Sequence, residues 1–297
     1  MPVVIDTDFG GDPDDAVALV YALRSRELDV RAVITSDEYK TNHRARLVQQ
    51  WLKAAGYHIP VFSGHDLGNK NLFLLDDLIE GNEDVLSIFQ GDELKKILTN
   101  LAADNGRYVS IGGLSNLSYL HVLFPKLWSS IQTTIMGGAV HYHRPGAIEH
   151  NIGLDVQSAR TIFKSGKKNR WVVSDHTFVP ELSVDATHRL YSYFAGNEDF
   201  FHMLVRTNMD RFFRTCYPDS RMHDPLTISA LFLPTVIFST QRMIMSATGE
   251  FVTAPTATLV EISASANYDC FWADIDAKLF LSPAQKSTGN YSKQKNG

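Results

Sequence analysis

Cysteine is scarce in this 297-residue chain: Cys216 and Cys270 are the only two, and they lie far apart. A disulfide framework is therefore excluded as the basis of the fold, and the expectation is two separate buried thiols. Long apolar runs are missing as well, so no membrane-spanning helix is expected. The opening residues Met1 to Asp6 lack a basic region followed by an apolar stretch. No signal peptide is expected there, and the protein is read as cytoplasmic. An excess of basic charge is also absent: 28 Lys and Arg stand against 33 Asp and Glu, for a net charge of −5. That excludes the electrostatic footprint of a nucleic-acid binder. No internal repeat or low-complexity linker divides the chain. One domain is expected over residues 1–286, with a polar, frayed tail over 287–297. What remains, 44% hydrophobic and 21% charged, is the composition of a globular domain with a sizeable core.

Several short apolar segments end in small or acidic residues. Val3-Val4-Ile5 runs into Asp6-Thr7-Asp8, Val30 to Ile34 into Thr35-Ser36-Asp37-Glu38, and Pro60-Val61-Phe62 into Ser63-Gly64. Tyr108 to Ile111 runs into Gly112-Gly113, Thr134-Ile135-Met136 into Gly137-Gly138, and Trp171-Val172-Val173 into Ser174-Asp175. Helical spacing lies between them: Ala16, Leu19, Val20 and Leu23 share one face, as do Ala45, Val48, Trp51, Leu52 and Ala55. Strands alternating with helices predict an α/β fold, a single domain with a mostly parallel central sheet flanked by helices. In such sheets the ligand crevice lies beyond the carboxyl ends of the strands, where the acidic and glycine tips converge. The aromatic stretch from Ala186 to Tyr217 reads as helices beside the site. Thr240 to Tyr268, rich in Thr, Ser, Ala and Val, reads as irregular or as a β-hairpin.

The first strand tip holds Asp6, Asp8, Asp12, Asp14 and Asp15 within ten residues. One Asp there would be an ordinary helix cap. Five repel one another unless a cation or shared protons compensate. A hard cation with oxygen ligands is the economical answer, and calcium takes six to eight of them. The downstream Glu of an EF-hand is absent, and no Gly-Lys-Ser/Thr of a phosphate-binding loop follows.

The same residues carry a resemblance. Asp6-Thr7-Asp8-Phe9-Gly10 followed by Asp14-Asp15-Ala16 is similar to the opening motif of the inosine–uridine nucleoside hydrolase family, with two extra residues between its halves. Val109-Ser110-Ile111-Gly112-Gly113-Leu114-Ser115-Asn116-Leu117 resembles that family's strand-to-helix turn. Met136-Gly137-Gly138-Ala139 resembles the segment before its substrate loop, and Ile148-Glu149-His150-Asn151-Ile152 its Ala-Glu-Phe-Asn element. Arg221-Met222-His223-Asp224-Pro225-Leu226 resembles its His-Asp-Pro/Ala element.

The resemblance implies hydrolysis of the N-glycosidic bond of ribonucleosides to ribose and free base, in purine or pyrimidine salvage. It implies Ca2+ held by Asp8, Asp15, Asp224 and the backbone carbonyl of Ile111, with water activated by Asp8. His223 would face the leaving base and protonate it, with a pKa suited to neutral pH. Asp14, Met136, Glu149 and Asn151 would bind the sugar, with Asp12 the alternative to Asp14. Where the family carries Gly-Asn after the second strand, this chain has Asp37 and Glu38. Either would contact the ribose, or both form a solvated acidic turn. His143 stands where the family offers an Asn toward the ribose 5′ end, and Tyr142 is a candidate to stack on the base. A homodimer or homotetramer is implied, acting on a small-molecule nucleoside and engaging neither nucleic acid nor membrane. Three rival readings remain: hydrolysis of a modified or atypical N-riboside, a non-catalytic nucleoside-binding protein on the same scaffold, and a phosphatase beginning Asp-x-Asp after a strand.

Overall fold

A computed structural model describes residues 1–38, 42–68, 70, 72–81, 84–90, 92–166 and 169–280. The polar tail expected over 287–297 lies outside them. The strands are β1 (Pro2–Thr7), β2 (Asp29–Thr35), β3 (Val61–Ser63), β4 (Leu86–Ser87), β5 (Arg107–Ser110), β6 (Gln132–Met136), β7 (Asn169–Val172), β8 (Ser183–Asp185), β9 (Asp219–Arg221), β10 (Val236–Met245), β11 (Phe251–Thr253) and β12 (Thr258–Ala266). The helices are α1 (Asp14–Arg24), α2 (His43–Ala54), α3 (Glu93–Ala103), α4 (Ser115–Leu123), α5 (Pro125–Trp128), α6 (His150–Leu154), α7 (Val156–Ser165), α8 (Ser174–Thr177), α9 (Arg189–Ala195), α10 (Phe200–Thr215), α11 (His223–Ser229) and α12 (Tyr268–Leu279).

Among the described residues, ten strands form one sheet in the order β11-β10-β12-β7-β6-β5-β1-β2-β3-β4. From β4 through β7 to β12 every neighbouring pair is parallel; β10 joins β12 and β11 antiparallel. The expected α/β fold with a mostly parallel sheet is thus observed. The hairpin expected from Thr240 onward starts earlier, at Val236. The chain builds outward from β1 to β4, then returns to lay β5, β6 and β7 on the other side of β1. The strand order therefore reverses between β1 and β5, which is where an open α/β sheet leaves a crevice at its carboxyl edge.

Alternation along β1 divides the core in two. Val3 and Ile5 join the cluster that includes residues of α1, α2, α10, α11 and α12; Val4 joins the cluster built with α3, α4 and α7. One face of α1 was expected to be buried, but Asp14 to Ala22 are all buried. The cause is its position: it lies under the sheet and is covered by α11 and α12. Trp51 of α2 stacks on Phe201 of α10 with centroids 4.6 Å apart, and its indole N–H donates to the Phe201 carbonyl at 2.9 Å. The aromatic stretch after Ala186 is indeed helical, forming α9 and α10. Cys216 and Cys270 are free thiols but only partly buried, which corrects the expectation of buried ones. Cys216 caps α10 and Cys270 lies in the first turn of α12, so neither faces the core. No helix among the described residues is long and apolar enough to cross a membrane.

Candidate active site

The acidic tip of β1 is not one cluster. Strand geometry ends at Thr7, so Asp6 and Asp8 do not share a fate. Asp6 is fully buried and turns to Tyr108, whose hydroxyl donates to it at 2.7 Å, and to the side-chain amide of Asn116 at 2.9 Å. Burial pushes its pKa up to about 7 despite these bonds. Asn116 also donates to the Thr35 carbonyl at 3.0 Å and accepts from the His65 N–H at 2.8 Å. Asp6 and Asn116 thus tie the tips of β1 and β2 and the end of β3 together. Asp12 accepts from the Ser220 hydroxyl and from the Asp14 N–H.

The remaining acids converge. Asp14 and Asp15 open α1, Asp224 opens α11, and these two helices pack against each other. Carboxylate oxygens of Asp14, Asp15 and Asp224 all lie within 4.8 Å of one another, and all three residues are buried. Asp14 accepts from the Asp15 N–H at 3.1 Å and the Asp224 N–H at 3.3 Å, while Thr7 donates to Asp15. Asp8 is 2% exposed and adds repulsion to all three. Burial first, then mutual repulsion, holds Asp14, Asp15 and Asp224 well above the usual carboxylate range. Such a set is ionised together only when a cation compensates. The donors are all hard oxygens, which suits calcium or magnesium rather than a softer metal. Asp14, read from sequence as a sugar contact, stands inside this trio.

The tip of β5 completes the floor. A methyl group on Gly112 would lie 2.8 Å from both the N and Oδ1 of Asp8, so the backbone approaches the carboxylate more closely than a side chain permits. The Ile111 carbonyl accepts from the Asn151 side-chain amide at 3.2 Å, and that amide also reaches the Met136 carbonyl at 3.2 Å. Asn151 therefore bridges the tips of β5 and β6 beside the acids. Glu149 caps α6: it accepts from the N–H groups of Gly138, Asn151 and Ile152 at 2.9, 3.2 and 3.1 Å.

An aromatic group gathers around His223, the chain neighbour of Asp224. His143 lies flat on Phe178, with centroids 3.6 Å apart and planes inclined by 6°. Phe178 in turn is near-parallel to His223 at 6.1 Å. Tyr142 meets His143 edge-on at 4.4 Å, and the Arg221 guanidinium stands 5.4 Å over the Phe178 ring. Nδ1 of His223 is 2.7 Å from the Thr177 hydroxyl. Burial, with Arg221, His143 and His150 nearby, pushes the His223 pKa down to about 3. This corrects the expectation of a pKa suited to neutral pH: the imidazole is neutral there.

The family model for inosine-uridine preferring nucleoside hydrolases matches residues 3–281. The chain belongs to that family. It is 28% identical over 266 residues to the pyrimidine-specific ribonucleoside hydrolase RihA of Escherichia coli strain K12, covering 82% of this chain and 83% of that protein. RihA of Salmonella typhimurium is 26% identical over 272 residues, with the same coverage. Among solved structures, the plant nucleoside hydrolase PpNRh1 superposes with a TM-score of 0.75 at 20% identity, covering 95% of this chain and 99% of that one. A purine-preferring ribonucleoside hydrolase from Gardnerella vaginalis superposes with a TM-score of 0.74 at 17% identity, covering 94% and 98%. The chain is therefore a nucleoside hydrolase, which sets aside the readings as a non-catalytic binder and as a phosphatase.

Within this hydrolase the expected site residues divide by location. Asp8, Asp14, Asp15, Ile111, Met136, Glu149, Asn151 and Asp224 surround the junction of β1, β5 and β6. His143 and His223 belong to the aromatic group. Asp37 and Glu38 are buried, which corrects the alternative of a solvated acidic turn. Asp37 adopts a left-handed backbone with φ 50°, and its carbonyl accepts from Arg44 Nε at 2.7 Å. Glu38 accepts from the Thr35 hydroxyl, and its carboxyl is held up at about 7 by burial, which outweighs bonds from the backbone at the start of α2. Sequence reasoning missed Arg44, Asn116 and Thr177. Arg44 had a signal: it sits one turn before Val48 on the stripe of α2 that runs on to Trp51 and Leu52, where a charge is out of place.

Proposed function

We propose that this hydrolase cleaves the N-glycosidic bond of ribonucleosides to ribose and free base with calcium as its metal, Asp8 as general base and His223 at the leaving base. The observation that carries it is the convergence of Asp14, Asp15 and Asp224 beside Asp8 at the point where the strand order reverses. Asp8, Asp15, Asp224 and the Ile111 carbonyl would hold the ion, and Asp14, whose carboxylate stands with those of Asp15 and Asp224, would be shared between the ion and a ribose hydroxyl. When bound, calcium supplies a template for water and the sugar hydroxyls and acidifies that water weakly.

Weak acidification leaves a base necessary, and Asp8 takes the proton from the attacking water. N-ribosides break through an oxocarbenium-like transition state, as glycosides do, so the carboxylates around C1′ favour the positive charge that develops there. Asn151 spends its amide N–H groups on the Ile111 and Met136 carbonyls, which leaves its side-chain oxygen as the acceptor for a ribose hydroxyl. Glu149 keeps acceptor capacity for a ribose hydroxyl beyond its three backbone donors. Were Thr177 to donate to Nδ1, the proton of the neutral His223 ring would sit on Nε2, free to be given to the departing base. Tyr142, and the face of His143 turned away from Phe178, are the candidates on which a planar base would stack.

A second reading, hydrolysis of a modified or atypical N-riboside, is favoured by one group of observations. Asp37 and Glu38 are engaged with Arg44 and Thr35, and His143 is engaged with Phe178, so the ordinary sugar contacts at those positions are rebuilt. The protein is further read as a cytoplasmic enzyme of purine or pyrimidine salvage, working as a homodimer or homotetramer. The test is a panel of purine, pyrimidine and modified nucleosides assayed for free ribose, with calcium and with EDTA. Ribose release that EDTA abolishes and calcium restores, and that Asp8→Ala lowers by roughly 10²-fold or more, is expected. Full turnover by Asp8→Ala would overturn the mechanism, and indifference to EDTA would overturn the metal.

A further inference from the structure

The loop between β1 and α1 is gripped residue by residue from separate parts of the chain. Arg44 Nη1 donates to the carbonyls of Asp8 and Phe9, both at 2.8 Å. The Leu74 N–H donates to the Gly10 carbonyl at 2.8 Å, and Asn208 of α10 donates to the Gly11 carbonyl at 2.9 Å. Arg44 is the hub, because its Nε also donates to the Asp37 carbonyl at 2.7 Å. One guanidinium thus joins the tip of β1 to the tip of β2. Its own plane is set from outside: the guanidinium carbon lies 4.8 Å over the Phe73 ring, and that ring occupies the space a side chain on Gly10 would need. A fully buried arginine is costly unless its fork is filled. Here the Asp8 and Phe9 carbonyls of the loop accept from it, with the Asp37 carbonyl beside them and the Asp37 carboxylate 3.9 Å away.

We propose that Arg44 is a positioning residue of the active site: by fixing the Asp8, Phe9 and Asp37 backbones it sets the Asp8 carboxylate in register with Asp15 and Asp224. The proposal rests on the reading that these carboxylates hold calcium. A plain counter-charge is the competing role, and the two make opposite demands. Coulomb's law alone says that removing a cation from beside a metal site tightens calcium binding. Loss of positioning weakens it, by the 10- to 100-fold typical when a group that orients metal ligands is removed.

Calcium binding is measured by titration calorimetry on the purified full chain, wild type, Arg44→Met and Arg44→Lys, with far-UV circular dichroism to check the fold. Arg44→Met is expected to weaken calcium binding by about tenfold or more, and Arg44→Lys by a smaller factor, since a lysine keeps the charge but not the fork. At saturating calcium, kcat falls in both while KM for the nucleoside stays within about threefold. Tighter or unchanged calcium binding in Arg44→Met overturns the proposal. If Arg44→Met does not fold, Arg44→Lys decides: its charge is intact, so unchanged affinity overturns positioning and weakened affinity supports it. A wild-type protein that binds no calcium fails the underlying reading instead.

Discussion

Gly112→Ala tests the site with one methyl group. The added carbon would stand 2.8 Å from the backbone N and Oδ1 of Asp8 and 3.0 Å from its Cγ. Ordinary contact begins near 3.4 Å, so Asp8 or the Gly112 backbone must give way by about 0.6 Å. The obstacle on one side is backbone, and the carboxylate on the other sits among Asp14, Asp15 and Asp224, so no flexible side-chain end can absorb the shift. A misplacement approaching 1 Å at a reacting group costs on the order of 10²-fold, roughly 2.7 kcal/mol of transition-state stabilisation. Overpacking at one site costs about 1–3 kcal/mol of stability, which lowers Tm by only a few degrees in a chain of this size. The assay is free-ribose release under steady-state conditions at saturating calcium, alongside thermal unfolding. A folded Gly112→Ala enzyme with wild-type kcat/KM would refute the reasoning, because either Asp8 has not moved or its position does not matter.

His223→Ala is expected to lower kcat on natural nucleosides by about 10²–10⁴-fold with little change in KM. The loss should shrink sharply on a riboside whose leaving group needs no proton, such as nitrophenol; equal losses on both substrates would remove His223 from the leaving-group step. A third prediction concerns pH. Asp6 and Glu38 are held up at about 7 and Asp12 at about 6, so the folded metal-free protein binds these protons more tightly than the unfolded chain. The stability they contribute is full below about pH 4 and is lost as pH rises through 6 to 7. Asp14, Asp15 and Asp224 are also held above the usual carboxylate range and must lose their protons to take the proposed ion, so thermal unfolding in EDTA and in calcium, at about pH 5.5 and pH 8, should show the larger calcium gain at pH 8. A larger gain at the acid pH would contradict the assignment of raised carboxylates.

The fold was legible because β1, β2, β3, β5, β6 and β7 are each a short apolar run with a small or acidic tip, and helices between them carry their own period; β4, two residues long, carries no such run. That Asp15 and Asp224 meet was legible because a candidate metal site needs oxygen ligands of a particular type, and type is what a sequence states; that Asp14 joins them was not, because it was read as a sugar contact. Asp6 shows the limit. It is two residues from Asp8 and looks equivalent, but the strand ends between them, and it serves Tyr108 and Asn116 instead. Arg44 was half legible: its charge stood out on the apolar stripe of α2, but it holds the carbonyls of Asp8, Phe9 and Asp37, and every residue has a carbonyl. The flat stack of His143 on Phe178 joins loops far apart in the chain, and nothing local in either announces the other. The depressed pKa of His223 follows from burial and from Arg221, His143 and His150, so it too required the assembled fold.

The pairing of α1 with α11 has a consequence for synthesis. A chain emerging from the ribosome carries Asp8, Asp14 and Asp15 well before Asp224 exists, and α11 cannot dock until it does. If these acids hold the ion as proposed, a chain that has not yet reached Asp224 lacks one of its carboxylates. Binding of the ion rewards the joining of the two ends of the folding sequence. On the proposed function the ion would in this sense be a clasp as well as a catalyst, and one that closes late.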